Sequence, residues 1–296
     1  MKAIAYTWVR DYRQMAEDMR TSFHHFHPDV PLCIFDWEQC QMIMEKYSCT
    51  SSFLYAPLGK ELATGDNLVI HIDADIIVTG PLDRLFSEAY DVAGVRAFPD
   101  IGRADSATYR RQNRLSGDHL TVQGELNAGF FAVRDPSFWD AWIDLNRKYG
   151  TKMRLGEQDT LNDLFYSWRF RSLLLDPVES NELWGTATKW GTCIDHGDDD
   201  NGKGFLESWR ELYLKTHSER KDANGTRVLY EAEPRLMMKI PGPNGAPSTL
   251  KRVHMLHTAG GDWTDKHLGF DSQTVREKLS PEVWKYLQNV RGRQAP

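Results

Sequence analysis

The 296-residue sequence has no apolar run approaching the roughly 18 residues that a membrane-spanning helix needs. Its N-terminus reaches Arg10, Asp11 and Arg13 before a signal-peptide core can form, so a soluble, cytoplasmic protein is expected. None of the four cysteines (Cys33, Cys40, Cys49, Cys193) stands in C-x-x-C spacing, which leaves a zinc or redox centre without its usual support. An excess of positive charge is missing too. Lys+Arg is 36 against 42 Asp+Glu, a formal charge of −6, and this argues against a dedicated nucleic-acid binder. Low-complexity tracts and internal repeats are absent, and an 11% aromatic content excludes wholesale disorder.

What is present alternates between strand-like and helix-like patterns. Lys2–Thr7 reads as a first strand, and Asp11–Phe26 as an amphipathic helix through Met15, Met19, Phe23 and Phe26. Pro28-Asp29 breaks the pattern, and Leu32–Phe35 reads as a second, buried strand. Strand, helix, strand in this order predicts a parallel α/β sheet. Leu68–Ile72 and Ile76–Val78 flank an Asp-Ala-Asp triplet, and Asn127–Val133 resembles another buried strand. Pro136 sits where a helix carrying Phe138, Trp139, Trp142, Ile143 and Leu145 would start. A further helix is expected near Glu157 and a strand over Arg171–Leu175. From Thr186 to Leu250 the composition shifts to an acidic knot, a mixed-charge run and a turn-rich stretch. We read this as an insertion or acceptor subdomain within one domain of residues 1–296.

Four stretches carry chemistry. In His71-Ile72-Asp73-Ala74-Asp75-Ile76-Ile77 an apolar strand delivers two carboxylates one residue apart, and on a regular strand both would face one side. Two such carboxylates repel unless a cation lies between them, and Mg²⁺ or Mn²⁺ suits their oxygens. Aspartates are also poor strand formers, so their place in a Val/Ile run needs a reason. Asn127-Ala128-Gly129 puts an amide beside two small residues, as an ordinary turn into a strand also would. Glu157-Gln158-Asp159-Thr160-Leu161-Asn162 gathers polar groups at a helix start, where capping alone accounts for some of them. His254–Trp263 combines imidazoles with Gly260-Gly261, and glycines permit close backbone approach to a phosphate.

These elements, in this order, resemble glycosyltransferase family 8, whose members include glycogenin and lipooligosaccharide galactosyltransferases. The matching segments are Asp73-Ala74-Asp75, Asn127-Ala128-Gly129, Glu157–Asn162 and His257-Thr258-Ala259-Gly260. The resemblance implies a GT-A fold, Rossmann-like with a mostly parallel central sheet, and a retaining, metal-dependent transfer from a UDP-sugar to an acceptor hydroxyl. It also implies Mn²⁺ (or Mg²⁺) held by Asp73, Asp75 and His257, with Asp73 reaching the donor ribose. Asn127 and Glu157 would bind the donor sugar, Gln158 would lie near its reacting face, and Asp159 belongs to the same catalytic stretch. Tyr6 and Thr7 fall where the family receives uracil, and Lys60, Gly260 and Lys266 are the candidates for the diphosphate.

The chain departs from the family pattern in three ways. The Lys-Pro-Trp end of the last motif is missing, Arg96 stands where relatives carry a carboxylate, and Glu157 replaces an aspartate. Arg96 with Arg103, Arg110, Arg111 and Arg114 makes an anionic acceptor a reasonable expectation, and a glycan, a lipid or a hydroxylated DNA base all stay open. A solvated arginine face accounts for the same residues equally well. Competing readings are a nucleotidyltransferase, which would want a glycine-rich loop that Trp8–Tyr12 lacks, and a non-catalytic sugar-nucleotide-binding module. A phosphatase fits worst, because no partner lysine motif is found. Asp195–Gly204 fails the register of a calcium loop, and His24, His25 and His27 read as an exposed helix end.

Overall fold

Apolar β-branched runs bounded by turn residues dominate the first half of the chain, and they form its central sheet. The computed structural model describes residues 2–96, 126–149, 156–175, 182–183, 228–230, 236–240, 249–257 and 288. The chain divides into two compact units. The first comprises Met1–Arg10, Val30–Asp73 and Asp83–Val178; the second comprises Asp11–Asp29, Ala74–Leu82 and Glu179–Pro296.

The first unit holds a six-stranded sheet of β1 (Ala3–Trp8), β2 (Leu32–Phe35), β3 (Leu68–Ile72), β5 (Val92–Arg96), β6 (Leu126–Val133) and β7 (Ser172–Leu174). The order is β2-β1-β3-β6-β5-β7. β1 runs parallel to β2 and β3, β5 runs parallel to β7, and β6 alone opposes its neighbours. The α/β class and mostly parallel sheet expected from the sequence are therefore present. In such sheets ligands gather beyond the carboxyl ends of the strands, which here are Trp8, Phe35 and Ile72.

Helices of this unit are α2 (Trp37–Tyr47), α3 (Tyr55–Leu62), the single turn α4 (Arg84–Ser87), α5 (Ser137–Tyr149) and α6 (Glu157–Phe165). α2 starts on a capping box: Asp36 accepts from the Gln39 amide, and the Gln39 side chain accepts from the Asp36 amide. α5 buries Phe138, Trp139, Trp142 and Ile143, as its helical spacing predicts. These residues join Tyr6, Val69, Phe131, Leu161 and Phe165 in one apolar core. Gly59 lets α3 close on α5, since a Cβ there would meet the Trp139 ring at 2.2 Å.

The second unit contains α1 (Arg13–Phe26), β4 (Ile76–Val78), β8 (Glu182–Leu183), β9 (Val228–Tyr230), β10 (Leu236–Ile240), β11 (Thr249–Val253) and β12 (Met255–His257). β8-β11-β10-β9 form one sheet, and β12 pairs antiparallel with β4. α1 buries Met15, Met19 and Phe23, and its Ser22 hydroxyl accepts from the Val78 amide at 2.9 Å. Most of the expected insertion, Thr186–Leu250, lies outside the described residues. No helix among the described residues is long and apolar enough to cross a membrane.

Two expectations need correction. Asp73-Ala74-Asp75 is not part of one regular strand; it is a turn between β3 and β4, which belong to different sheets. The poor strand propensity of aspartate accords with the break. His27 is half-buried and does more than end a helix: its Nε2 accepts from the Leu82 amide at 2.9 Å.

Candidate active site and metal centre

Within the first unit, β3 carries His71 and ends just before Asp73, whose amide donates to the Gly129 carbonyl at 2.7 Å. β3 and β6 pair antiparallel through Ile72 and Phe130, so the Asp-x-Asp segment and Asn127-Ala128-Gly129 meet by sheet register. α6 supplies the third stretch. Gln158 Oε1 accepts from the Ala128 amide at 3.2 Å, while the Asn162 side chain accepts from the Leu126 amide at 2.8 Å. Three of the four sequence motifs are thus joined by hydrogen bonds within one unit.

The fourth motif lies in the second unit, where the pairing of His257 with Ile76 places the imidazole beside Asp75. His257 Nε2 is 3.2 Å from Asp75 Oδ1, and His257 is buried. Within the second unit, Asp75 and His257 each offer one ligand atom to a metal ion. A carboxylate oxygen beside an imidazole nitrogen is a donor pair that Mn²⁺ accepts, unlike the soft thiolate sites of zinc clusters. The donors of this unit therefore fit the implied ion.

The other expected residues occupy varied settings. Asn127 is buried, and its side-chain oxygen accepts from the Gly129 amide at 2.8 Å. Asp159 is buried, and Gln158 is partly buried. Tyr6 is fully buried, and its hydroxyl donates to the Tyr55 carbonyl at 2.7 Å. Burial, followed by the charges of Glu157 and Asp73, raises the Tyr6 phenol well above its ordinary value. Thr7 is buried, with no hydrogen-bond partner for its hydroxyl among the described residues. Lys60, on α3, forms an ion pair with Asp140 on α5. Arg96 closes β5, whereas Gly260, Lys266, Arg103, Arg110, Arg111 and Arg114 lie outside the described residues.

Glu157 holds the start of another helix. Its carboxylate accepts from the amides of Tyr55 at 2.6 Å and Ala56 at 3.4 Å, the first two residues of α3. Early helical amides have no partner inside their helix, and the next residue, Pro57, has no N–H to satisfy. Burial pushes the Glu157 carboxyl up, the α3 amides pull it down, and the charge of Asp73 pushes it up further, to about 8. The unfolded chain releases this proton near its ordinary value of about 4.5 and the folded chain near 8, so stability falls as pH rises between them. A shift of this size corresponds to a few kcal/mol, on the order of 1.4 kcal/mol per unit. In EDTA, urea midpoints at pH 5 and 8.5 are expected to converge in Glu157→Gln relative to the parent chain. Equal pH slopes in both proteins would refute this account of Glu157.

Sequence reading missed two residues at this site. His71 is fully buried with Nε2 3.0 Å from Asp73 Oδ1, and the Tyr55 hydroxyl donates to that same oxygen at 3.0 Å. The only signal for His71 was an imidazole in an otherwise aliphatic strand. Tyr55 had none, because its helix was not read.

No protein-family model matches the sequence, and no curated protein matches it. Solved structures do. The glycosyltransferase GlyE of Streptococcus pneumoniae TIGR4 aligns over 99% of this chain and 63% of its own, at 16% identity and a TM-score of 0.50. Its apo form aligns over the same shares at 17% identity and a TM-score of 0.50. The galactosyltransferase LgtC, solved in complex with donor and acceptor sugar analogues, aligns over 96% of this chain and 99% of its own, at 14% identity and a TM-score of 0.49. The chain thus spans 63% of the GlyE chain, with which it shares a glycosyltransferase fold.

Proposed function

We propose that this chain is a metal-dependent glycosyltransferase that moves a sugar from a UDP-sugar to an acceptor hydroxyl with retention at the anomeric carbon. The observation that carries the reading is the joining of Asp73, Asn127-Ala128-Gly129 and Gln158 by backbone and side-chain hydrogen bonds at the end of β3. The contact of Asp75 with His257 adds to it. In this reading Asp73, Asp75 and His257 hold Mn²⁺ or Mg²⁺, with Asp73 also reaching the ribose. The bound cation supplies charge neutralisation for the leaving diphosphate. Asn127 and Gln158 flank the donor sugar, Asp159 supports that stretch, and Thr7 lies towards the base. Gly260 and Lys266 are proposed for the diphosphate. Lys60, paired with Asp140, would have to exchange that partner to join them.

Glu157 enters this scheme through α3, because both its oxygens already serve the amides there. The arginines Arg96, Arg103, Arg110, Arg111 and Arg114 favour an anionic acceptor. Incubation with a panel of UDP-sugars and Mn²⁺ is expected to release UDP slowly without acceptor and faster with one, and EDTA is expected to stop it. Silence across the panel, with and without candidate glycan, lipid and DNA acceptors, would sink the proposal.

A further inference from the structure

Four segments far apart in the sequence converge on Tyr55, the first residue of α3. Its amide donates to Glu157, and its carbonyl accepts from the Tyr6 hydroxyl. Its ring lies 4.2 Å from the His71 ring, centroid to centroid, and 6.2 Å from that of Phe131. Its hydroxyl donates to Asp73 Oδ1. Backbone on both sides, ring and hydroxyl all have named partners, so the phenol has little freedom to turn.

We propose that Tyr55 is a positioning residue that, together with His71, fixes the Asp73 carboxylate before any cation arrives. This inference rests on the metal-binding role given to Asp73 above. His71 is fully buried, and its Nε2 lies 3.0 Å from Asp73 Oδ1, within hydrogen-bond reach of the same oxygen. Two hydrogen-bonding partners on one carboxylate oxygen restrict its rotation. The ordering that a ligand carboxylate otherwise undergoes on metal binding is complete beforehand, and partners of this kind typically change affinity by about 10–100-fold. Glu157 and Tyr6 act one step further out, by holding the backbone that aims the phenol.

Tyr55→Phe removes the hydroxyl and leaves the ring and both backbone bonds in place. Calorimetric titration of the metal-free chain with MnCl₂ alone is the readout, with melting temperature recorded alongside. Tyr55→Phe is expected to bind Mn²⁺ about 10-fold or more weakly than the parent. Tyr6→Phe, which frees only the Tyr55 carbonyl, is expected to weaken it by a smaller factor. Tyr47→Phe, which loses a hydroxyl bonded to Glu61 elsewhere on the unit, should bind as the parent does. If the parent binds Mn²⁺ and folded Tyr55→Phe binds it equally well, the positioning role is overturned while the metal site stands. Should Tyr55→Phe fail to fold, Tyr6→Phe decides by the same criterion. Absence of Mn²⁺ binding by the parent chain would overturn the metal site itself, and this inference with it.

Discussion

Asp75→Asn is expected to lower Mn²⁺-stimulated release of UDP by about 100-fold or more, with little change in melting temperature. The substitution keeps the side chain's shape and removes the charge proposed to hold the cation. Asp75 is partly exposed at a turn, and His257 Nε2 lies 3.2 Å away, a distance that an amide oxygen can also span. That contact is therefore kept. In the proposed reaction charge accumulates on the departing diphosphate, and losing one preorganised electrostatic contact typically costs 10²–10³-fold, roughly 3–4 kcal/mol. Initial rates with and without Mn²⁺, beside thermal melts of both proteins, give the comparison. Retained activity in the variant would remove Asp75 from the metal site. A large fall in melting temperature would instead mark the aspartate as structural.

Gly59→Ala is expected to destabilise the first unit by about 3 kcal/mol, against the usual gain when alanine replaces glycine inside a helix. The new Cβ would lie 2.2 Å from two atoms of the Trp139 ring. That indole is 1% exposed, stacks on Trp142 and packs against Phe131 and Phe138, so it has nowhere to swing. Either α3 moves off α5 or the core rearranges, and both forfeit close packing. A displaced α3 also carries Tyr55 away from Asp73, so Mn²⁺ affinity should fall together with stability. Urea unfolding of Gly59→Ala measures the first effect. The double variant Gly59→Ala/Trp139→Leu, which makes room for the methyl group, should recover part of the loss. Stability equal to or above the parent would show that α3 and α5 tolerate separation.

The contrast between α3 and its neighbours explains what the sequence reveals and what it withholds. β1, β2, β3, β4, β6, β7, α1, α5 and α6 fall within a few residues of their expected positions, because each has a periodicity of its own. α3 has Pro57 and Gly59 in eight residues, both signals against a helix. It forms because Glu157, 102 residues away, accepts its first amides, and because the Trp139 ring needs the glycine. Neither cause is local. α2 was legible in principle, since Asp36 and Gln39 stand at capping-box spacing. β5, with Gly94 at an irregular step of its pairing with β6, offers little pattern to detect.

The site divides along the same line. Asp73, Asp75, Asn127, Gln158 and His257 were visible as residue types suited to a task, because motif spacing is a local property. The hydrogen bonds among Tyr6, Tyr55, His71 and Glu157 depend on sheet order and helix placement. Tyr6, expected near the uracil, and Glu157, expected near the donor sugar, both have side-chain bonds to Tyr55 that no local pattern announces.

The central claim is that the Asp73–Asp75–His257 set makes UDP binding depend on a divalent cation. Calorimetric titration of UDP into the chain, once with saturating Mn²⁺ and once with EDTA, addresses it most directly. The account predicts binding with Mn²⁺ and a loss of at least about 10-fold in affinity with EDTA. Equal affinity under both conditions, or no UDP binding with Mn²⁺ present, would contradict it.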